Sequence, residues 1–387
     1  MSWSGDEPDN PDVPSRRLPS DLEPSAWARA RASHPVEHDL TVTNPTACGL
    51  PYPDDLLRGL ASPASLSYRP DPKGLRSARE AVASESAARG ATVDPERIVL
   101  TASSSEAYGF LFKVLCDPGD AVLVPAPSYP LFEHLASLDG VRTVTYPLDQ
   151  DHGWQPIPPR PPVRGARAAL LVHPNNPTGS WAEREAVEGF APLPLIVDEV
   201  FLDFPLDGST PRTFAARESG LTFTLGGLSK SRGLPQLKLS WIVVSGPEAE
   251  VARVLPSLEF IADTYLSVAT PVQEALGSIL KGALPVQQAI RDRCAANLSS
   301  ARTLAARVPS VEILPPGGGW SVVLRYPNVI PEESLVLDLL KRDRVAIHPG
   351  YFFDFPTEGY LVASLLPERS TFDAGLTRVL DAIASAL

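Results

Sequence analysis

Seven short apolar runs constrain this chain more than any other feature: residues 98–100, 121–124, 141–146, 168–172, 193–197, 221–225 and 239–244. They are rich in Val, Leu and Ile, and helical or loop segments separate them. A strand buried on both faces reads as a continuous apolar run, whereas a half-exposed strand alternates. Strands of this kind joined by helical crossovers build a largely parallel sheet covered on both faces. The spacing therefore predicts an α/β fold with a mostly parallel seven-stranded sheet. In such a sheet ligands gather outside the carboxyl ends of the strands, so the residues that follow each run are where chemistry is expected.

After Gly246 the pattern changes to long helical stretches at 248–266, 270–280 and 286–308. Two strand candidates follow, 319–324 and 360–366, and then a closing helix at 372–387. This predicts a smaller α+β unit, with a division into a flexible arm (1–25), a large domain (26–270) and a small C-terminal domain (271–387). The arm is inferred from Pro8, Pro11, Pro14, Pro19 and Pro24 set among Asp, Ser and Arg. At 387 residues the chain is long enough for two cores.

The net charge of −12 argues against nucleic-acid or anionic-membrane partners. No apolar run approaches the roughly 20 residues that span a bilayer. The polar, acidic start and the widely separated Cys48, Cys116 and Cys294 point to a reduced, cytoplasmic protein with no metal site.

Several residues that follow the runs carry reactive groups. Lys230 closes the segment Leu-Gly-Gly-Leu-Ser-Lys at 225–230, where glycines and serines frame it and an apolar strand precedes it. A lysine so placed is suited to become a neutral amine and form an imine with a carbonyl. Asp198 ends the run at 193–197, and a carboxylate there is costly unless paired. Ser103, Ser104 and Ser105 follow the first run and open a helical pattern, and backbone N–H groups at a helix N-terminus favour an anion. Asn176 begins an Asn-Pro-Thr-Gly turn at 176–179, and Tyr129 sits in Ala-Pro-Ser-Tyr-Pro at 126–130.

Together these motifs resemble the fold-type I pyridoxal-phosphate enzymes, specifically the class I/II aminotransferases, over roughly residues 35–387. The resemblance implies a homodimer that moves an amino group from an amino acid or other amine to a 2-oxo acid, with pyridoxal 5'-phosphate as cofactor. Lys230 would form the Schiff base and then act as general base and acid. Asp198 would keep the pyridine nitrogen protonated, Tyr129 would stack on the ring, and Asn176 would bond its oxygen. Ser104, Ser105, Ser229 and Lys238 would hold the phosphate. Tyr68 would reach the phosphate of the neighbouring subunit, so the active sites would be shared. The first part of the chain would pack on the small domain.

The chain departs from the family pattern at three places. Lys238 stands where arginine is usual, which keeps the charge but loses the bidentate fork. Phe201 replaces the tyrosine that usually donates to the ring oxygen, and losing that donor should raise the pKa of the imine. Val362 stands where the family carries the arginine that grips the substrate's α-carboxylate. Asn176, Arg325 or Lys73 could take over that role, or the substrate has no carboxylate there. The run at 349–355, Pro-Gly-Tyr-Phe-Phe-Asp-Phe, and Trp320 suggest an apolar substrate wall. A lyase or decarboxylase of the same fold, and a catalytically silent pyridoxal-phosphate-binding protein, stand as alternatives.

Overall fold

The computed structural model describes residues 15–19, 21–210 and 212–386, so the first fourteen residues of the expected arm lie outside the described part. The large sheet has eight strands: β1 (Ile98–Thr101), β2 (Ala121–Ala126), β3 (Arg142–Asp149), β4 (Gln155–Pro156), β5 (Ala166–Val172), β6 (Leu195–Asp198), β7 (Thr222–Gly227) and β8 (Ser240–Ser245). Their order is β1-β8-β7-β6-β5-β2-β3-β4. The seven expected runs all form strands. The eighth, β4, is two residues long and pairs antiparallel with the end of β3. A two-residue strand bounded by proline carries no periodic signal.

Strands β3, β2, β5, β6 and β7 are mutually parallel. β8 runs antiparallel to β7 and to β1, which gives β1 the direction of the other five. The segments after β1, β2, β5, β6 and β7 therefore leave the sheet at one edge. Both faces are covered, as the unbroken burial of β1, β6, β7 and β8 requires. The glycines of β7 meet a packing demand: a Cβ on Gly226 would lie 2.5 Å from the Trp241 indole nitrogen, and one on Gly227 would lie 2.3 Å from Ser240 Oγ. Only glycine lets β7 approach β8 this closely just before Lys230.

The C-terminal part carries a second, antiparallel sheet in the order Glu312–Leu314, Ser321–Arg325, Tyr360–Ser364, His348–Pro349. Trp27 and Leu40 from the start of the chain share a hydrophobic cluster with Val322, Leu361 and Leu376 of this part. His38–Asp39 pairs parallel with Val345–Ala346. The helix Thr270–Gly282 begins at the expected domain boundary, yet its Leu276 and Ile279 pack with Ile98, Leu100 and Trp241 of the large sheet.

A buried ion network fixes the turn after Lys230. Arg232 is 1% exposed and donates to Glu85 Oε1 at 2.6 Å and to the Leu280 carbonyl at 2.9 Å. Arg89 joins the same Glu85 to Asp203. Removing Arg232 leaves Glu85 and Asp203 to share Arg89 alone, a buried network one positive charge short, so Arg232→Ala is expected to cost about 3–5 kcal/mol. Urea titration checks this, and a loss under 1 kcal/mol would contradict it.

Candidate active site

One cavity of about 290 Å³ opens at the carboxyl edge of the large sheet, between it and the small sheet. Ser104, Ser105, Tyr129, Asn176, Asp198 and Lys230 all line it. They arrive on five separate segments, following β1, β2 and β5, ending β6, and following β7. The parallel order of those strands is the reason they meet.

Lys230 lies in the short helix Leu228–Ser231 that directly follows β7. Among the described residues no carboxylate stands within ion-pair distance of its Nζ. The amine instead lies 5.3 Å from the centre of the Trp320 ring and 5.7 Å from that of Phe201. Burial in these apolar surroundings pushes its pKa below that of an ordinary lysine, against the opposing pull of Asp198.

Asp198 is the last residue of β6 and is buried. Tyr108 donates its phenol to Oδ2 at 2.6 Å, and the Val200 N–H donates to Oδ1 at 3.1 Å. Burial pushes the carboxyl pKa up, while these two bonds and the Lys230 charge pull it down. Tyr108 stands in no sequence motif. It belongs to the apolar face of the helix Ser104–Leu115, and nothing local marks it as the partner of a residue 90 positions away.

That helix is capped by Ser103, whose Oγ accepts from the Glu106 N–H at 3.1 Å, while Glu106 Oε2 accepts from the Ala102 N–H at 2.6 Å. The cap thus falls to Ser103, and Ser104 and Ser105, in the first turn, are left to line the cavity. Asn176 Oδ1 accepts from Ser321 Oγ at 3.3 Å, which leaves its amide N–H groups as what it offers a ligand. The neighbouring Asn175 is buried and ties the loops together, donating to the Pro127 carbonyl and to Thr178 Oγ1.

The structure does not bring the other expected site residues to the cavity wall. Ser229 is not among the lining residues. Lys238 is exposed, in a left-handed conformation (φ 49°) after the turn Pro235–Leu237. Tyr68 is 79% exposed and lies against a separate groove with Ser267 and Thr270. Arg325 pairs with Glu312, and Lys73 pairs with Glu96, so neither replaces the missing arginine in the cavity. Val362 does line it, 2% exposed, as do Phe201, Trp320 and Phe353. Phe355 packs instead against Trp154 and Tyr360. Thr41, Thr43, His348 and Ser364, which no motif marked, also line it.

The donor set fits pyridoxal phosphate. A helix N-terminus with two hydroxyls suits its phosphate, a buried carboxylate suits a protonated ring nitrogen, and an amine whose pKa burial lowers suits its aldehyde. The family model for aminotransferase class I and II matches residues 60–368. The chain is 27% identical over 364 residues to the glutamate-pyruvate aminotransferase AlaA of Haemophilus influenzae, covering 88% of this chain and 89% of that one. It is equally similar (27%) over 364 residues to the alanine aminotransferase of Mycobacterium tuberculosis, covering 88% and 84%. In fold it resembles the alanine aminotransferase of Pyrococcus furiosus, with a TM-score of 0.82 at 21% identity over 94% of this chain and 100% of that one. From the family match and the fold of its two units, the chain belongs to the class I and II aminotransferases and is a fold-type I, pyridoxal-phosphate-dependent aminotransferase.

Proposed function

We propose that amino transfer in this protein runs through Lys230 in the cavity at the sheet edge, with Asp198, Tyr129, Asn176, Ser104 and Ser105 as the groups that hold the cofactor. The observation that carries the reading is the convergence of these six residues on one cavity, around a lysine with no ion pair among the described residues. Bound pyridoxal phosphate supplies an electron sink for the charge left on the substrate's amino carbon. Lys230 would hold the cofactor's aldehyde and would take and return the proton at that carbon. Asp198 holds a positive charge on the ring nitrogen, and Tyr108 holds Asp198. The first turn of the helix Ser104–Leu115, with the Ser104 and Ser105 hydroxyls, would hold the phosphate. Ser229 and Lys238 do not line the cavity, so their removal should weaken cofactor binding less than loss of Ser104 and Ser105. Substrates are an amine donor and a 2-oxo-acid acceptor.

The working form in this reading is a homodimer in the cytoplasm. Support comes from Tyr68 and Phe260, which are 79% and 74% exposed. Sedimentation equilibrium should return twice the chain mass, and a monomer with full activity would refute shared sites.

Borohydride reduction of the cofactor-loaded protein, followed by peptide mapping, tests the assignment of the lysine. The modified peptide should contain Lys230, and label on Lys73, Lys113 or Lys238 instead would overturn it. Phe201 cannot donate a hydrogen bond, so the bound cofactor should keep its visible-absorbing, protonated form to higher pH than with a phenol there. Phe201→Tyr should therefore move the spectral midpoint downward by about one pH unit, roughly the 1.4 kcal/mol worth of one hydrogen bond. An unmoved midpoint would contradict this.

A further inference from the structure

The side of the cavity formed by the small sheet is poor in anything that could bind an anion. Ser321, His348, Phe352, Phe353, Val362 and Ser364 line it. Among the described lining residues there is no arginine, and Lys230 is the sole lysine. His348 packs against the rings of Trp27, Phe352 and Phe353, and burial lowers its pKa to about 4, so it is neutral at physiological pH. The charged groups that act on it are Asp39 and Arg31, which pair with each other.

The hydroxyls on this side have already committed their protons. Ser364 Oγ donates to the Val42 carbonyl at 2.5 Å, Ser321 Oγ to Asn176 Oδ1 at 3.3 Å, and Thr41 Oγ1 to Asp39 Oδ1 at 2.6 Å. What they offer a ligand is acceptor lone pairs. A carboxylate can only accept, so these groups repel it, leaving the Asn176 amide and Thr43 as neutral donors. Val362 occupies the place where the family pattern leads one to expect a guanidinium, and it belongs to an apolar cluster with Val323, Phe353 and Phe355. A buried carboxylate without a cation would be strongly disfavoured here.

We propose that this site selects a primary amine with an apolar, aromatic-sized body and no carboxylate on its amino carbon, seated against Phe352, Phe353 and Val362. The inference rests on the amino-transfer reading of the same cavity and names its donor class. The donor's C–N bond breaks and its carbon is oxidised to a carbonyl, while the acceptor's carbonyl carbon is reduced and gains the nitrogen. One water is taken up and one released, so no outside oxidant enters. A 2-oxo acid passing through the same site as acceptor saturates it only at high concentration.

The test uses the full-length, cofactor-loaded protein and two matched pairs of ligands. 2-Phenylethylamine and phenylalanine differ only by the carboxylate, and the readout is the concentration that half-converts the visible band. 3-Phenylpropan-1-ol and 3-phenylpropionate cannot donate an amino group, and their affinities are read by calorimetry. The carboxylate-free member of each pair should win by at least about tenfold, the scale of one lost charged hydrogen bond. Val362→Arg should reverse both orders, and because Val362 is 2% exposed, the wild-type ratios decide the question even if that variant does not fold. Equal or better binding of the carboxylates, or no binding of either alcohol or acid, overturns the inference. If the alcohol binds as expected but neither amine discharges the band, the amino-transfer reading fails and the carboxylate-poor recognition stands.

Discussion

Lys230→Ala is expected to lower amino transfer by about 10²–10⁴-fold at least, the range contributed by one positioned proton-transfer group. The loss should be in kcat, because the group acts at the reacting carbon and adds little to substrate binding. Lys230→Arg should be no better. A guanidinium stays protonated and cannot serve as a nucleophile, whereas the lysine amine is driven toward its neutral form by burial beside Trp320 and Phe201. The fold should survive, since the amine forms no ion pair among the described residues and borders a cavity. Far-ultraviolet circular dichroism separates the cases: an inactive but native spectrum supports the assignment, and an active variant refutes it.

Asp198→Asn is expected to cost about 10²–10³ in kcat, the scale of losing one preorganised electrostatic contact, and at the same time to raise the melting temperature of the cofactor-free protein. The second effect follows from the direction of the Asp198 shift. Its folded pKa lies above the ordinary carboxylate value because burial penalises the charge. Below the unfolded pKa both states are neutral and burial carries no electrostatic cost. As pH rises from the unfolded to the folded pKa, only the unfolded state ionises, so the wild type loses stability across that window. At neutral pH the asparagine variant escapes this cost, and at pH 3 the two should melt alike. Asparagine keeps Oδ1 as acceptor for the Val200 N–H, and its amide N–H can donate to the Tyr108 hydroxyl oxygen, so neither group loses its partner. Melting curves at both pH values check the prediction. A variant less stable than wild type at pH 7 would show that Asp198 is held by more than Tyr108 and Val200.

The two effects together describe a site whose stability is traded against function. A buried carboxylate and a half-buried amine are kept from pairing with each other, a cost borne by the rest of the fold. The ion network of Arg232, Glu85, Arg89 and Asp203 supports the turn beside Lys230, so part of that support is itself electrostatic.

Much of this was legible in the residues. Apolar runs at 98–100 through 239–244 predicted seven strands, and Lys230, Asp198, Asn176, Tyr129, Ser104 and Ser105 each follow or end one. The eighth strand was missed because Gln155–Pro156 is too short to show a period. The helix Thr270–Gly282 was grouped with the small unit because it opens the helix-rich region, yet its apolar face packs on the large sheet. Periodicity identifies a buried face without naming what covers it. The cap at Ser103 was equally ambiguous in a row of three serines, since any of them can accept from a backbone N–H.

The sequence alone determined the parallel sheet and, through it, the edge where the reactive residues meet. Strand formation and crossover direction follow from local apolar pattern and chirality. Only the tertiary structure decided that Tyr108 holds Asp198, that Ser364 donates to a carbonyl 322 positions away, and that Lys73 and Arg325 are tied to glutamates away from the cavity. Those outcomes depend on which distant surfaces come into contact, and a hydroxyl or guanidinium chooses its partner only once packing has set the distance.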